Sequence, residues 1–419
     1  MSGAPPHPGT DESVTTTPAF IARSGAGRWR LLVLRAAPVV MRPAIVLLEA
    51  LLVHDNHVLV LLLPVAMMAL TISSIPVHLD YFRARPGSSE YRRLGRAYVS
   101  GLSWITLASS VVLALVLMAV PLGLSPILVL ACVLTFLTEK LSDESCRSLE
   151  FRKEFVKWFL VQAARSAWFV LPLAASVAGL PYEASFVVFA AFAAAAMFVI
   201  FRRTSGLDMR FGREGFSLIR NNIVFLVGTF LPASYLQLPR IVAATLFPTY
   251  AHVFLAVGQL SQAVTLVFNV RYQVPYRKLI ARRTYMFQRR MQPMMVHILI
   301  ASALIAVVYL MVPGLISIER WPALAIGVAL VPIAVAHATT FAVLAAHLGY
   351  LSWVAGRLNA LATYLSCIAL AGLCAGLLAW TGLIEHMSLL SLPAVAVLIG
   401  LGWFTIIQTR HFPRRPAHV

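Results

Sequence analysis

The stretch YVSGLSWITLASSVVLALVLMAVPLGLSPILVLACVLTFLT (98–138) carries no charged residue and is interrupted only by PLGLSP (121–126). A helix needs about 20 apolar residues to cross the hydrocarbon core of a bilayer. The stretch therefore reads as two spans, 98–120 and a shorter 124–138, joined by a tight turn. The same pattern runs outward in both directions, with further spans at 31–53, 58–79, 158–178, 184–201, 222–246, 248–270, 293–312, 322–346, 358–380 and 387–407. Twelve spans are expected. Composition agrees: 419 residues would fill two or three soluble domains, yet 60% are hydrophobic and only 12% charged, about half the charged share of a soluble globular protein. The sequence is that of an all-α polytopic membrane protein.

The net charge of +18, from 34 Lys and Arg against 16 Asp and Glu, acquires meaning from its distribution. Basic residues cluster before the first span (Arg23, Arg28, Arg30, Arg35), between spans two and three (Arg83 to Arg96), and between four and five (Lys140, Arg147, Arg152, Lys153, Lys157). Others lie between six and seven (Arg202 to Arg220), after the eighth (Arg271 to Arg290), at Arg357, and at Arg410, Arg414 and Arg415. These alternate segments hold 30 of the 34, whereas loops such as HDNH (54–57), GLPYE (179–183) and LFPTY (246–250) hold none. Such alternation places both termini in the cytoplasm under the positive-inside rule. The excess charge is thus an orientation signal and does not imply a nucleic-acid partner. Residues 1–29 read as a disordered and interfacial cytoplasmic segment, and 408–419 as a cytoplasmic tail.

Several function classes find no support in the chain. Outer loops are about ten residues or fewer, no phosphate-binding loop of the GxxxxGK[ST] kind is present, and nothing points to a cofactor or to catalytic residues. The turn His54, Asp55, Asn56, His57 reads as ordinary hairpin chemistry, with a metal or catalytic role as the rival reading. Cys132, Cys367 and Cys374 lie in spans and Cys146 in a loop, each read as a small buried hydrophobe. A transporter is the simplest class for helices in lipid with no appended domain.

The basic residues that break the alternation are Arg42, Arg165, Arg240 and Arg320, of which Arg320 sits beside Glu319 in an outer loop. Charge within a span is costly and is normally turned toward a bundle interior or a water-filled cavity. Arg42 shares a helical face with Arg35 and Glu49, and Glu49 is the intramembrane acid, a candidate for ion coupling. Arg42 and Glu49 are two turns apart, so their partners must lie on other helices; the rival reading for Arg42 is snorkelling to the inner headgroups. Gln162, Arg165, Ser166 and Phe169 form one stripe of span five. Arg240 follows Gln237 and Pro239 in span seven. Gln259, Gln262 and Asn269 form a polar stripe along span eight, an interior face because unbonded amides are costly in hydrocarbon. For Arg165 and Arg240 a cavity role stands beside a structural helix-to-helix hydrogen bond. Guanidinium forks match phosphate oxygens, and amides offer both donor and acceptor to sugar hydroxyls. The combination suits a sugar carried on a lipid pyrophosphate.

These features resemble the Wzx-type polysaccharide flippases of the MOP exporter superfamily, which also holds MurJ, the lipid II flippase, and the MATE drug exporters. LQLPRIVAATLFPTYAHVFLAVGQLSQAV (236–264) is similar to the family's passage from span seven to span eight. Arg240 stands at its basic position, Pro239 where an acid is common, and Tyr250-Ala251 at its Tyr-small step. VFNVRYQVPYRKL (267–279) is similar to the family's exit from span eight, and LLEALLVHDNHVLVLLL (47–63) occupies the place of its first outer turn without the usual Gly and Tyr. The resemblance implies two pseudo-symmetric six-helix bundles, 30–201 and 215–407, joined by a cytoplasmic linker at 202–214 and enclosing a central cationic cavity. It further implies movement of undecaprenyl-pyrophosphate-linked oligosaccharide across a bacterial inner membrane by alternating access, beside a polysaccharide polymerase and export machinery. The expected substrate-binding residues are Arg42, Arg165, Arg240, Gln162, Gln259, Gln262 and Asn269. The alternatives are a MATE-like ion-coupled exporter of small molecules, a membrane-embedded polymerase or acyltransferase, and a scaffold without transport activity.

Overall fold

A computed structural model of the chain describes residues 41–53, 58–74, 88–119, 124–152, 154–205 and 209–221, with scattered positions from Ile223 to Gln259. Among the described residues every regular element is an α-helix: α1 (41–52), α2 (Val58–Ile72), α3 (Ser89–Ala119), α4 (Pro126–Arg152), α5 (Phe155–Ala167), α6 (Val170–Val177), α7 (Tyr182–Ser205) and α8 (Arg213–Asn221). Ser89–Ala119, Phe155–Val177 and Tyr182–Ser205 are long and apolar enough to cross a membrane. Their outward positions are large and apolar, with Leu107, Val112, Leu115 and Met118 exposed on α3 and Val188, Phe192 and Val199 on α7. Such a surface suits lipid and not water, and the chain is a membrane protein. The tail segments 1–29 and 408–419, the turn 54–57, and expected spans nine to twelve lie outside the described residues.

Local chemistry explains where these helices begin and turn. Ser88 caps α3, its Oγ accepting the Tyr91 N–H at 3.0 Å, and Ser125 caps α4 through the Leu128 N–H at 3.3 Å. Pro126 then occupies the first position of α4, where its missing N–H costs nothing. Between α5 and α6, Pro172 cannot donate to the Trp168 carbonyl. That carbonyl instead accepts from the Leu171 N–H at 3.1 Å, and the helix tightens for one turn without leaving its course. Beyond the end of α6 stands Gly179, whose φ of +86° lets the Leu180 N–H reach the Ala175 carbonyl and the Gly179 N–H the Ser176 carbonyl. This is a Schellman cap, and it reverses the chain into α7.

α4 departs most from the sequence expectation. A span of 124–138 followed by a basic loop is expected; one helix runs instead from Pro126 to Arg152, about 40 Å at 1.5 Å per residue. No Gly or Pro follows Pro126 within it. Lys140, read as a loop cation, is 1% exposed, and Cys146, also placed in the loop, is buried. α4 is central to the described packing, against α7 most extensively and also against α2, α3 and α5. Ala131, Cys132 and Phe136 of α4 join Phe186, Ala190 and Ala193 of α7 in one apolar core, the small side chains allowing close helix approach. α7 likewise continues through Arg202 and Arg203 to Ser205, into the stretch expected as linker.

Candidate functional site

The second half of α4 carries opposite charges one turn apart. Lys140 Nζ lies 3.0 Å from Glu144 Oε1, and Arg147 Nη2 lies 2.7 Å from Asp143 Oδ2, the i, i+4 arrangement that neighbours on a helix surface favour. From this face α4 ties down its neighbours. Lys140 donates to the Ser73 carbonyl at 3.0 Å, just past the end of α2, a cation at the negative end of a helix dipole. Arg152 reaches the Ser205 carbonyl at 3.3 Å and Ser148 the Thr204 carbonyl at 3.1 Å, both at the end of α7. Tyr98 of α3 donates its hydroxyl to Glu144.

Glu139 is the centre of this network. Fully buried, it receives Arg42 Nη2 from α1 on Oε1 at 2.5 Å and Arg165 from α5 on Oε2, with Nε at 2.5 Å and Nη2 completing a fork. Arg42 Nε also donates to Ser166 Oγ at 3.2 Å, and Arg165 Nη1 stands 3.9 Å from Asp143. The partners that the sequence placed on other helices are, for Arg42, Glu139 of α4 and Ser166 of α5. The expected stripe of span five also faces inward: Arg165, Ser166 and Phe169 are buried and Gln162 is half-buried. Two guanidiniums gripping one carboxylate can equally grip a phosphate, because the donor fork matches either anion.

Glu49 forms a separate buried site. Its Oε1 accepts from the Leu59 N–H at 2.8 Å and from the Tyr182 hydroxyl at 2.7 Å, while Oε2 faces His252 Nε2 at 3.2 Å. Leu59 is in the first turn of α2, so the Glu49 carboxyl oxygen satisfies an otherwise unpaired helix-start donor. Tyr182 is fixed beneath it by edge contact with Phe186, which also meets Trp168.

Arg240 is buried, with Nη1 donating to Gln237 Oε1 at 3.0 Å. Gln259 is 4% exposed and its Oε1 has no hydrogen-bond partner among the described residues. Gln262 and Asn269 lie outside the described residues. The structure thus brings together Arg42 and Arg165, leaves Glu49 in its own site, and places Arg240 beside Gln237. Sequence reasoning missed Glu139, Asp143 and Glu144 because it ended span four at 138, and it read Glu49 as the only intramembrane acid. The signal available was the alternating charge at i, i+4 spacing with no helix breaker between. No comparable signal marks His252. No protein-family model matches the chain, and neither a curated protein nor a solved structure does.

Proposed function

We propose that the chain is a flippase that moves an undecaprenyl-pyrophosphate-linked oligosaccharide across a bacterial inner membrane by alternating access, with both termini cytoplasmic. The observation that supports this most is the convergence of Arg42 and Arg165, from two different helices, on one buried acceptor inside a helical membrane protein. In this reading the two guanidiniums meet the pyrophosphate. Arg240, Gln162, Gln259, Gln262 and Asn269 extend the polar surface toward the glycan. The twelve spans form two six-helix bundles around the transport route, and the alternation of basic loops supports the orientation. The test is export in cells: Arg42→Ala and Arg165→Ala are expected to abolish polymer export at normal protein level, with the lipid-linked intermediate retained in the inner leaflet. Normal export by both variants would remove the assignment.

The fully buried Glu49, faced by Tyr182 and His252, favours a second reading, a MATE-like ion-coupled exporter of small molecules. Unchanged polysaccharide and lost drug resistance in Glu49→Gln would select it.

A further inference from the structure

Glu139 and the two arginines do not balance. Arg42 has one acid within 4 Å among the described residues, Glu139, and Arg165 shares that same carboxylate. Asp143, the next acid, is committed to Arg147 at 2.7 Å and lies 3.9 Å from Arg165. Among the described residues Glu139 is thus the one carboxylate that contacts both guanidiniums, one on each oxygen, with Asp143 at the margin of Arg165 alone. The remaining partners of Arg42 among the described residues are neutral, Ser166 Oγ at 3.2 Å and Met67 Sδ at 3.7 Å. A pair of cations, one buried and one largely so, that shares a carboxylate has capacity for a more highly charged anion of similar oxygen spacing, and phosphate meets both conditions.

We propose that Glu139 is an internal counter-anion that holds the Arg42 and Arg165 site closed, and that a pyrophosphate group takes its place on the two guanidiniums. This rests on the transport reading above and adds a control to it. With no substrate bound, the carboxylate neutralises the arginines and draws α1, α4 and α5 together. With pyrophosphate on the arginines, Glu139 is released and repelled by the incoming charge, so α4 separates from α1 and α5. Substrate exchange at one site thereby becomes helix movement. A purely structural ion pair differs in one measurable respect: its loss destabilises the protein and confers no affinity for anions.

The experiment uses the purified full chain in lipid nanodiscs, titrated with inorganic pyrophosphate. Glu139→Gln is expected to bind pyrophosphate at least about tenfold more tightly than the unaltered chain, and Glu139→Gln combined with Arg165→Gln to lose that gain. Glu139→Asp, with the charge kept but the reach shortened, is expected to show a smaller gain. Wild-type affinity in folded Glu139→Gln and Glu139→Asp, or a gain that survives Arg165→Gln, overturns the proposal. So does failure of both variants to fold when pyrophosphate is present throughout purification, since a ligand that replaces the carboxylate must rescue its loss. A parallel arm places an isoprenyl pyrophosphate in the nanodisc; tighter binding there than in solution supports a lipid headgroup as the source, and the reverse supports a soluble anion. Loss of export in Arg165→Ala without a gain in Glu139→Gln removes the exchange and leaves the transport reading standing. A gain in Glu139→Gln with normal export in both arginine variants does the opposite.

Discussion

Glu49 accepts two hydrogen bonds on one oxygen and faces His252 with the other, so its replacement orphans donors that water does not reach. Glu49→Ala is expected to lose about 1–3 kcal/mol through the Leu59 N–H and the Tyr182 hydroxyl, read as a lower melting temperature in detergent. The stakes are higher at Glu139. Glu139→Ala takes the shared carboxylate from the buried Arg165 and the largely buried Arg42 and is expected to cost about 3–5 kcal/mol, whereas Lys157→Ala, which removes an exposed pair with Glu154, should leave stability nearly unchanged. A Glu139→Ala protein as stable as the Lys157→Ala protein would contradict the buried network. At this scale the sequence was partly legible. Arg42, Arg165 and Glu49 stand out because charge within an apolar run is costly and must be satisfied. Glu139 does not, since it lies at the edge of its apolar run, and only the continuation of the helix makes it interior. His252 is likewise a single polar residue in an apolar stretch, and no spacing rule links it to an acid 203 residues away.

Helix boundaries show what patterning can and cannot decide. Apolar length located α3, the α5 and α6 pair, and α7, because hydrocarbon thickness sets their minimum extent. It misjudged α4, where burial of the polar half comes from neighbouring helices and not from lipid. Lys140→Cys, in purified protein whose native cysteines are replaced, distinguishes the two views directly: a loop cysteine would react rapidly with a water-soluble maleimide, whereas a cysteine in the packed face of α4 is expected to stay unlabelled until the protein is denatured. α8 offers a second test of an element. A Cβ at Gly215 would collide with the Ser100 carbonyl carbon and the Gly101 nitrogen, so α8 lies directly against the backbone of α3. Gly215→Val is expected to force α8 off α3 and raise hydrogen exchange across Arg213–Asn221. Retained protection there would show that the close contact is dispensable.

At the scale of the molecule, the described residues hold three bilayer-length helices with apolar outer faces beside a charge network too dense for a purely lipid-facing bundle. Composition alone made the membrane class legible, because so few charged residues cannot cover a soluble surface. The grouping of Arg42 with Arg165, and the separation of both from Glu49, was not legible, since it depends on which helices are neighbours. The proposed transport belongs to this scale, and so does its decisive test. The purified chain reconstituted in vesicles should move an undecaprenyl-pyrophosphate-linked oligosaccharide between leaflets, measured by loss of protection from an external glycosidase. Arg165→Gln, at matched reconstitution, should reduce that rate by at least about tenfold, the loss expected for one charge-assisted fork worth roughly 1.5–3 kcal/mol. An Arg165→Gln protein that moves the lipid at the rate of the unaltered chain would contradict the account.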